Sequence, residues 1–316
     1  MISKDYLHTR IYQSPDALNM HDGSLYIYGR SNEDRANAII DNYKMRANNI
    51  VFIQLTIDDD DFDTIYDIDG KSYNLRNKED IAKLISSELL ISNVIYLDIT
   101  VLPERIIAAI MHYAHLNNID IVTIYVEPCQ YKIREFQKAG VYHDLSTEIN
   151  GIAPLPGFVS INSDDNNEIP SKMVVFIGFE GGRFTHIYEQ FDISGDNILP
   201  IVGTPGYRIE YPFVSLWGNR QTINSSGAWR NIKYCVANSI VDAYYTLKEI
   251  ENTNPNTMLK IVPIGTKPHT IATLAFALNH AENVEIVYDN PKKIQQRSDG
   301  IGAIIETNLK SLIAGI

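Results

Sequence analysis

Cysteine is nearly absent from this chain, which has two in 316 residues. Cys129 and Cys235 are far apart and neither belongs to a C-x-x-C pair, which excludes zinc-finger and zinc-ribbon spacings. The expectation is two reduced thiols in a cytoplasmic protein. Positive charge is also scarce. Lys and Arg number 27 against 39 Asp and Glu, a formal net charge of −12. Non-specific binding of duplex nucleic acid needs phosphate-neutralising side chains, so no such partner is expected. A local cluster of donors still suits a small anion. Long apolar runs are missing as well. "LISSELLISNVIYLDITVL" is interrupted by Glu88 and Asp98, and no membrane span is expected. "MISKDYLHTRIYQSPD" has no apolar core, so it does not read as a signal peptide.

Several chemical signatures are lacking too. There is no G-x-S-x-G, no H-E-x-x-H and no evident Cys/His nucleophile pair. The acidic stretch "DDDDFDTIYDIDG" (58–70) departs from EF-hand spacing. It reads as a solvated loop or a small hairpin, and neither a metal nor a cofactor is expected.

What is present is β-branched and apolar strand material alternating with helical spacing. Strands are expected at 24–30, 49–57, 93–100 and 120–128, and helices at 32–46, 78–90 and 103–118. The series restarts at 173–184 with a strand. A helix over 184–192, a strand over 197–207 and a long amphipathic helix over 229–253 follow. A strand–helix–strand unit spans 260–288. Strands without polar alternation fit parallel sheets covered on both faces. The fold class is α/β, with two Rossmann-like units of mostly parallel sheet. Their expected boundaries are 1–152 and 173–316, joined by the Pro/Asn/Asp-rich linker 153–172. The apolar face of 229–253 suits either burial within the chain or a homodimer.

Four loops are expected just after strands, where ligands bind in open α/β sheets. "YGRSNEDR" offers Arg30 at the start of a helix. "IGFEGGRF" offers Glu180, Gly181, Gly182 and Arg183. "VGTPGYRIEYPFVSLWGNR" offers Gly203, Tyr207, Arg208, Asn219 and Arg220, with Trp217 beside them. "PIGTKPH" offers Gly265, Thr266, Lys267 and His269. Glycine admits close backbone approach, helix amides favour an anion, and guanidinium or ammonium groups pair with phosphate. The alternatives are a capped helix with solvated arginines for the first, a structural glycine turn with a surface ion pair for the second, core aromatics for the third and a satisfied structural turn for the fourth. His269 suits a capping or core histidine, and Asp98 and Thr100 a hydrogen-bonding role.

"IVPIGTKPH" resembles the strand–G-T-K–helix segment of CARF-type Rossmann domains, although Ile264 stands where that family often has glycine. The resemblance implies ligand contacts from Gly265, Thr266 and Lys267. It implies a sensor of cyclic-oligoadenylate-like molecules in antiviral defence, a ring-nuclease-like enzyme, or a subunit that controls a separate effector protein. Binding or sensing of an anionic nucleotide-like ligand is therefore the leading expectation. A nucleotide-processing enzyme, such as a ring-nuclease-like phosphodiesterase or an N-glycosidase, is the first alternative. A scaffold subunit of a larger complex is the second.

The cysteine spacing makes one direct prediction. Reducing agent should leave the melting temperature unchanged; a fall of several degrees would reveal a structural disulfide.

Overall fold

The computed structural model describes residues 5–43, 49–58, 61–86, 91–132, 145–158, 170–191, 193–294 and 296–314. The chain forms two compact units and passes between them more than once. One comprises Met1–Tyr131, Leu155–Gly157 and Ser298–Ile316; the other comprises Lys132–Pro154 and Phe158–Arg297. The sequence-based boundaries therefore move. Residues 132–152 join the second unit, and the C-terminal segment returns to the first. Within the expected linker, Leu155 is fully buried and Ser171 already begins a strand. Residues 159–169 lie outside the described residues.

In the first unit, α1 (Asp5–His8), β1 (Thr9–Tyr12), β2 (Leu25–Tyr28), α2 (Asp34–Tyr43) and β3 (Val51–Ile57) come in turn. Then come β4 (Thr64–Asp67), β5 (Ser72–Asn74), α3 (Lys78–Leu84), β6 (Val94–Asp98), α4 (Glu104–Leu116), β7 (Asp120–Val126) and β8 (Gln130–Tyr131). The second unit contains β9 (Ser146–Ile149), β10 (Ser171–Ile177), α5 (Gly181–Gln190), β11 (Ile198–Gly203) and α6 (Tyr211–Ser226). It continues through β12 (Lys233–Cys235), α7 (Ile240–Thr253), β13 (Met258–Pro263), α8 (Lys267–Asn279), β14 (Val284–Ile286) and β15 (Pro291–Lys293). Finally β16 (Ser298–Asp299), β17 (Ile304–Asn308) and α9 (Leu309–Ala314) complete the first unit.

The first sheet has the order β1-β17-β7-β6-β2-β3-β4-β5. Its centre, β7-β6-β2-β3, is parallel, with Leu25 in register with Val51 on one side and Ile95 on the other. β17 enters antiparallel between β7 and β1. It covers what would otherwise be the unpaired edge of β7, which is why the C-terminus belongs here. The acidic stretch becomes the β4–β5 hairpin and extends the opposite edge. Its aspartates accept hydrogen bonds within the turns, as Asp67 does from the amides of Asp69 and Lys71.

The second sheet is wholly parallel, in the order β12-β11-β10-β13-β14. Numbered within the sheet this is 3-2-1-4-5, the doubly wound order of Rossmann folds. Its topological switch lies between β10 and β13. Met173 to Ile177 of β10 are all buried, as a strand covered on both faces requires.

Two expectations need correction here. The stretch 229–253 is not one helix: Ala228–Asn231 forms a tight turn, Lys233–Cys235 is an edge strand, and α7 starts at Ile240. The apolar face of α7 packs on α8, where Tyr244 meets Phe276 edge-on at 5.8 Å. That face therefore lends no support to a homodimer. Second, "YPFVSLWGNR" is not a loop; it is the first part of α6.

The first unit holds a buried charge cluster that ties its segments together. The Arg35 Nε donates to the Glu33 carboxylate and to the Ser298 hydroxyl, both at 2.9 Å, and Nη1 donates to the Val126 carbonyl at 3.3 Å. Arg35→Met should destabilise the protein by about 3–5 kcal/mol, because it removes the cation beside a buried carboxylate. Chemical denaturation measures this. Arg35→Met with Glu33→Leu should recover most of the loss. A single variant with near wild-type stability would show that the pair contributes nothing.

Candidate functional site

The carboxyl edge of the second sheet gathers three of the four segments singled out above. At the switch point, Gly178 follows β10 and Gly265 follows β13. A Cβ on Gly178 would stand 2.5 Å from the Ile264 carbonyl oxygen. The next turn is held as tightly. A Cβ on Gly181 would lie 1.9 Å from the Gly218 carbonyl oxygen, and one on Gly218 would lie 2.4 Å from that of Phe179. The β10–α5 turn is thus wedged, backbone against backbone, between β13 and α6. Asn219 pins it: its Nδ2 donates to the Gly178 carbonyl at 2.7 Å and to the Ser215 carbonyl at 2.8 Å.

Gly182 is the exception. It is exposed, helical, and a Cβ there would meet nothing within 4 Å. Packing explains Gly178 and Gly181 but not Gly182. The start of α5 has no side-chain cap, since Glu180 makes no cap hydrogen bond. The Glu180 carboxylate instead accepts the Leu145 amide at 2.8 Å and the Ser146 hydroxyl at 3.2 Å.

Arg183 is committed inward. It forms a two-pronged pair with Asp289, Nε to Oδ2 at 2.8 Å and Nη2 to Oδ1 at 2.5 Å, and lies 3.7 Å from Glu180. Burial disfavours its charge. The hydrogen bonds and negative charge of Asp289, with Tyr288 and Glu180, outweigh that and keep it protonated. Arg183 therefore does not face a ligand.

The "IGTKPH" segment is partly structural. Thr266 caps α8: its hydroxyl donates to the Ala237 carbonyl at 2.6 Å and accepts the His269 amide at 3.4 Å. Pro268 takes an early helical position where its missing N–H costs nothing. Gly265, Thr266 and Lys267 are half-buried at the rim. His269 is fully buried. Its ring lies against Phe176, tilted by 33° with centroids 4.8 Å apart, and Nε2 lies 3.2 Å from the Val236 carbonyl and 3.3 Å from the Cys235 Sγ.

This Cys–His contact was not visible in the sequence, because 34 positions separate the two residues. It does not make a nucleophile. Burial lowers the His269 pKa to about 4 against the opposing Val236 hydrogen bond. Burial, with Asp242, pushes the Cys235 thiol up. Both groups stay neutral, so no thiolate–imidazolium pair forms. With its proton on Nε2 facing Val236, His269 presents Nδ1 as an acceptor. Nδ1 and the Asn219 Oδ1 are buried without hydrogen-bond partners among the described residues.

Of the remaining candidates, Gly203 ends β11 and approaches the His269 ring, with a Cβ there 3.3 Å from Cε1. The Tyr207 hydroxyl is 3.5 Å from the Ala237 carbonyl. Arg208 is exposed and pairs with Glu210 at 2.6 Å. Arg220 lies over the Trp217 ring at 4.0 Å and donates to the Trp217 carbonyl at 2.6 Å. Arg30 belongs to the first unit, where it pairs with Asp41 at 3.4 Å. In that unit Asp98 is also internal, accepting from the Tyr26 hydroxyl at 2.7 Å and the Thr100 amide at 2.9 Å. Among the described residues, no helix is long and apolar enough to cross a membrane. A scan against protein-family models and a search of curated proteins return no match for the chain.

The buried imidazole sets a pH dependence. Its pKa is lower folded than unfolded, so its contribution to stability is fully present above about 6.5 and is lost as pH falls toward about 4. The full effect is about 3 kcal/mol. His269→Phe should flatten that part of the stability–pH curve, measured by denaturation between pH 7 and pH 4. An unchanged slope would place the titration elsewhere.

Proposed function

We propose that the second unit binds an anionic, nucleotide-like ligand at the switch point between β10 and β13, as a regulatory or sensing module. The observation that carries this reading is Gly182. A glycine in the first turn of a helix costs up to about 1 kcal/mol relative to alanine. Here no neighbour requires it. It leaves the uncapped start of α5 bare at the place in a 3-2-1-4-5 sheet where ligands sit. Backbone amides and the helix dipole there favour negative charge. Lys267 opens α8 beyond the adjacent strand and contributes an ammonium. The likeness of "IVPIGTKPH" to CARF-type segments points the same way and supports a sensor working with a separate effector.

Two variants test the reading. Gly182→Ala should leave the fold as stable as wild type, or up to about 1 kcal/mol more stable, while weakening nucleotide binding. Lys267→Ala should weaken binding by about tenfold or more with the fold intact, the loss of a charge-assisted contact. Mass spectrometry of small molecules released from the denatured protein would identify the ligand class. Calorimetry with a panel of mono-, di- and cyclic nucleotides would give the affinities. Wild-type affinity in both variants, or no binding to any member of the panel with no nucleotide released, would overturn the proposal.

A further inference from the structure

In a chain of net charge −12, one cavity of the first unit is lined by three basic side chains, Arg76, Lys78 and His112, and by no carboxylate. It lies between α3 and α4 and holds about 50 Å3, several times the roughly 10–15 Å3 that one water needs. α4 turns Ala109, His112 and Tyr113 toward it, three and four positions apart and so on one face. Lys78 and Ile81 come from one side of α3. The space exists because Ala109 is small where a larger side chain would fill the gap between the helices.

Exposure divides the lining. Leu75, Ile81 and Ala109 are buried and form an apolar floor. Arg76 and Lys78 are exposed and mark the mouth, with His112 half-buried between. Main chain holds His112 in place. Gly157 has a φ of +86°, and a Cβ there would lie 2.5 Å from the His112 Cγ. Glycine is required both for that backbone conformation and for the close approach.

The charges are arranged against the local electrostatics. The Arg76 Nε donates to the Asp63 carboxylate at 2.6 Å, so its charge is balanced. Lys78 occupies the first position of α3, where the helix dipole disfavours a cation. Burial lowers the His112 pKa, and the positive charge of Lys78 and of His115 lowers it further. A negative charge placed between Lys78 and His112 relieves both. A cation would be repelled there. An inorganic anion would leave the apolar floor uncovered, and a nucleotide is far larger than the space.

We propose that the cavity between α3 and α4 binds a small organic anion, a carboxylate with a short aliphatic tail. The head group pairs with Lys78 and His112, and the tail covers Ile81 and Ala109. The proposal does not depend on ligand binding at the switch point of the second unit.

Two-dimensional NMR of the full chain tests it. Butyrate and butanesulfonate are the probes, with sulfate and butanol as head group and tail alone. Both probes should shift the Ala109 and His112 amides saturably, with Kd below about 10 mM. Sulfate and butanol should each bind at least about fivefold more weakly, since each lacks one half of the contact. Butanesulfonate keeps its charge at every pH used, so its affinity reports the protein. It should rise by about threefold or more from pH 8 to pH 5.5 as His112 gains its proton. Lys78→Glu should weaken butyrate binding by about tenfold or more. Lys78 is exposed, and a melting curve verifies that this variant folds. His112→Gln should remove the pH dependence. No saturable shift up to about 50 mM of either probe would overturn the proposal, as would wild-type affinity in Lys78→Glu. Butanol binding as tightly as butyrate would show a cavity indifferent to charge, and an affinity independent of pH would remove His112 from the head-group contact. Either result would overturn the proposal as well.

Discussion

Contact of bare backbone against bare backbone shapes the second unit. The turn after β10 is clamped from two sides, by the end of β13 through Gly178 and by α6 through Gly181 and Gly218. None of these positions tolerates even a methyl group without displacing main chain. The clamp brings the first turn of α5 to the switch point of the sheet. It also fixes which way α6 faces. The near side of α6 buries Ser215, Gly218, Asn219 and Thr222 together with Tyr211 and Ile223, so the close approach at Gly218 and the apolar packing at the two ends act on one face.

Charge at the carboxyl edge is sorted by the same geometry. Arg183 would be the obvious anion ligand from its place beside two glycines. Yet Asp289 holds it in a buried two-pronged pair, and Glu180 is drawn to the 145–146 backbone and hydroxyl. An unpaired buried charge is costly, and a carboxylate in reach claims a guanidinium before any ligand does. In the proposed binding mode, backbone amides and Lys267, not Arg183, supply the attraction to an anion. This suits a ligand recognised by main chain and shape more than by an arginine clamp.

The sequence discloses the sheets well and the helices between them unevenly. Buried parallel strands are apolar runs, unbroken in Met173–Ile177 and interrupted in Met258–Pro263 by Lys260 alone, and such runs need no knowledge of the partner to be recognised. The switch-point segments were legible for the same reason, since glycines mark strand ends. α6 was not legible, because an apolar-periodicity reading takes large residues as the buried face. Here large residues fall on both sides, Tyr211 and Ile223 buried and Phe213 and Trp217 exposed, and Pro212 and Gly218 add the look of a loop. The expected helix over 229–253 failed for a related reason. β12 is a three-residue edge strand, too short to interrupt a helical pattern visibly. Arg183 looked available because its partner, Asp289, is distant in sequence.

The first unit has the same class of fold, and the glycine and charged groups near its switch point are all taken up by the interior. At its own switch point, between β2 and β6, a Cβ on Gly29 would press on the Leu102 and Val101 side chains, at 3.2 and 3.4 Å. Asp98 is fully occupied by Tyr26 and Thr100, and Arg35 by Glu33, Ser298 and Val126. Burial pushes the Asp98 pKa up, the mark of a carboxyl that serves the interior. Buried polar atoms without a partner among the described residues occur in both units, on Ser24, Asn37 and Ser92 in the first and on Asn219 and His269 in the second, so unmet hydrogen bonding does not tell the units apart. Glycine does: Gly29 is crowded by side chains, whereas Gly182 stands in the first turn of a helix with no neighbour to require it. The case for a ligand in the second unit therefore rests on that glycine and not on a general difference in polar packing.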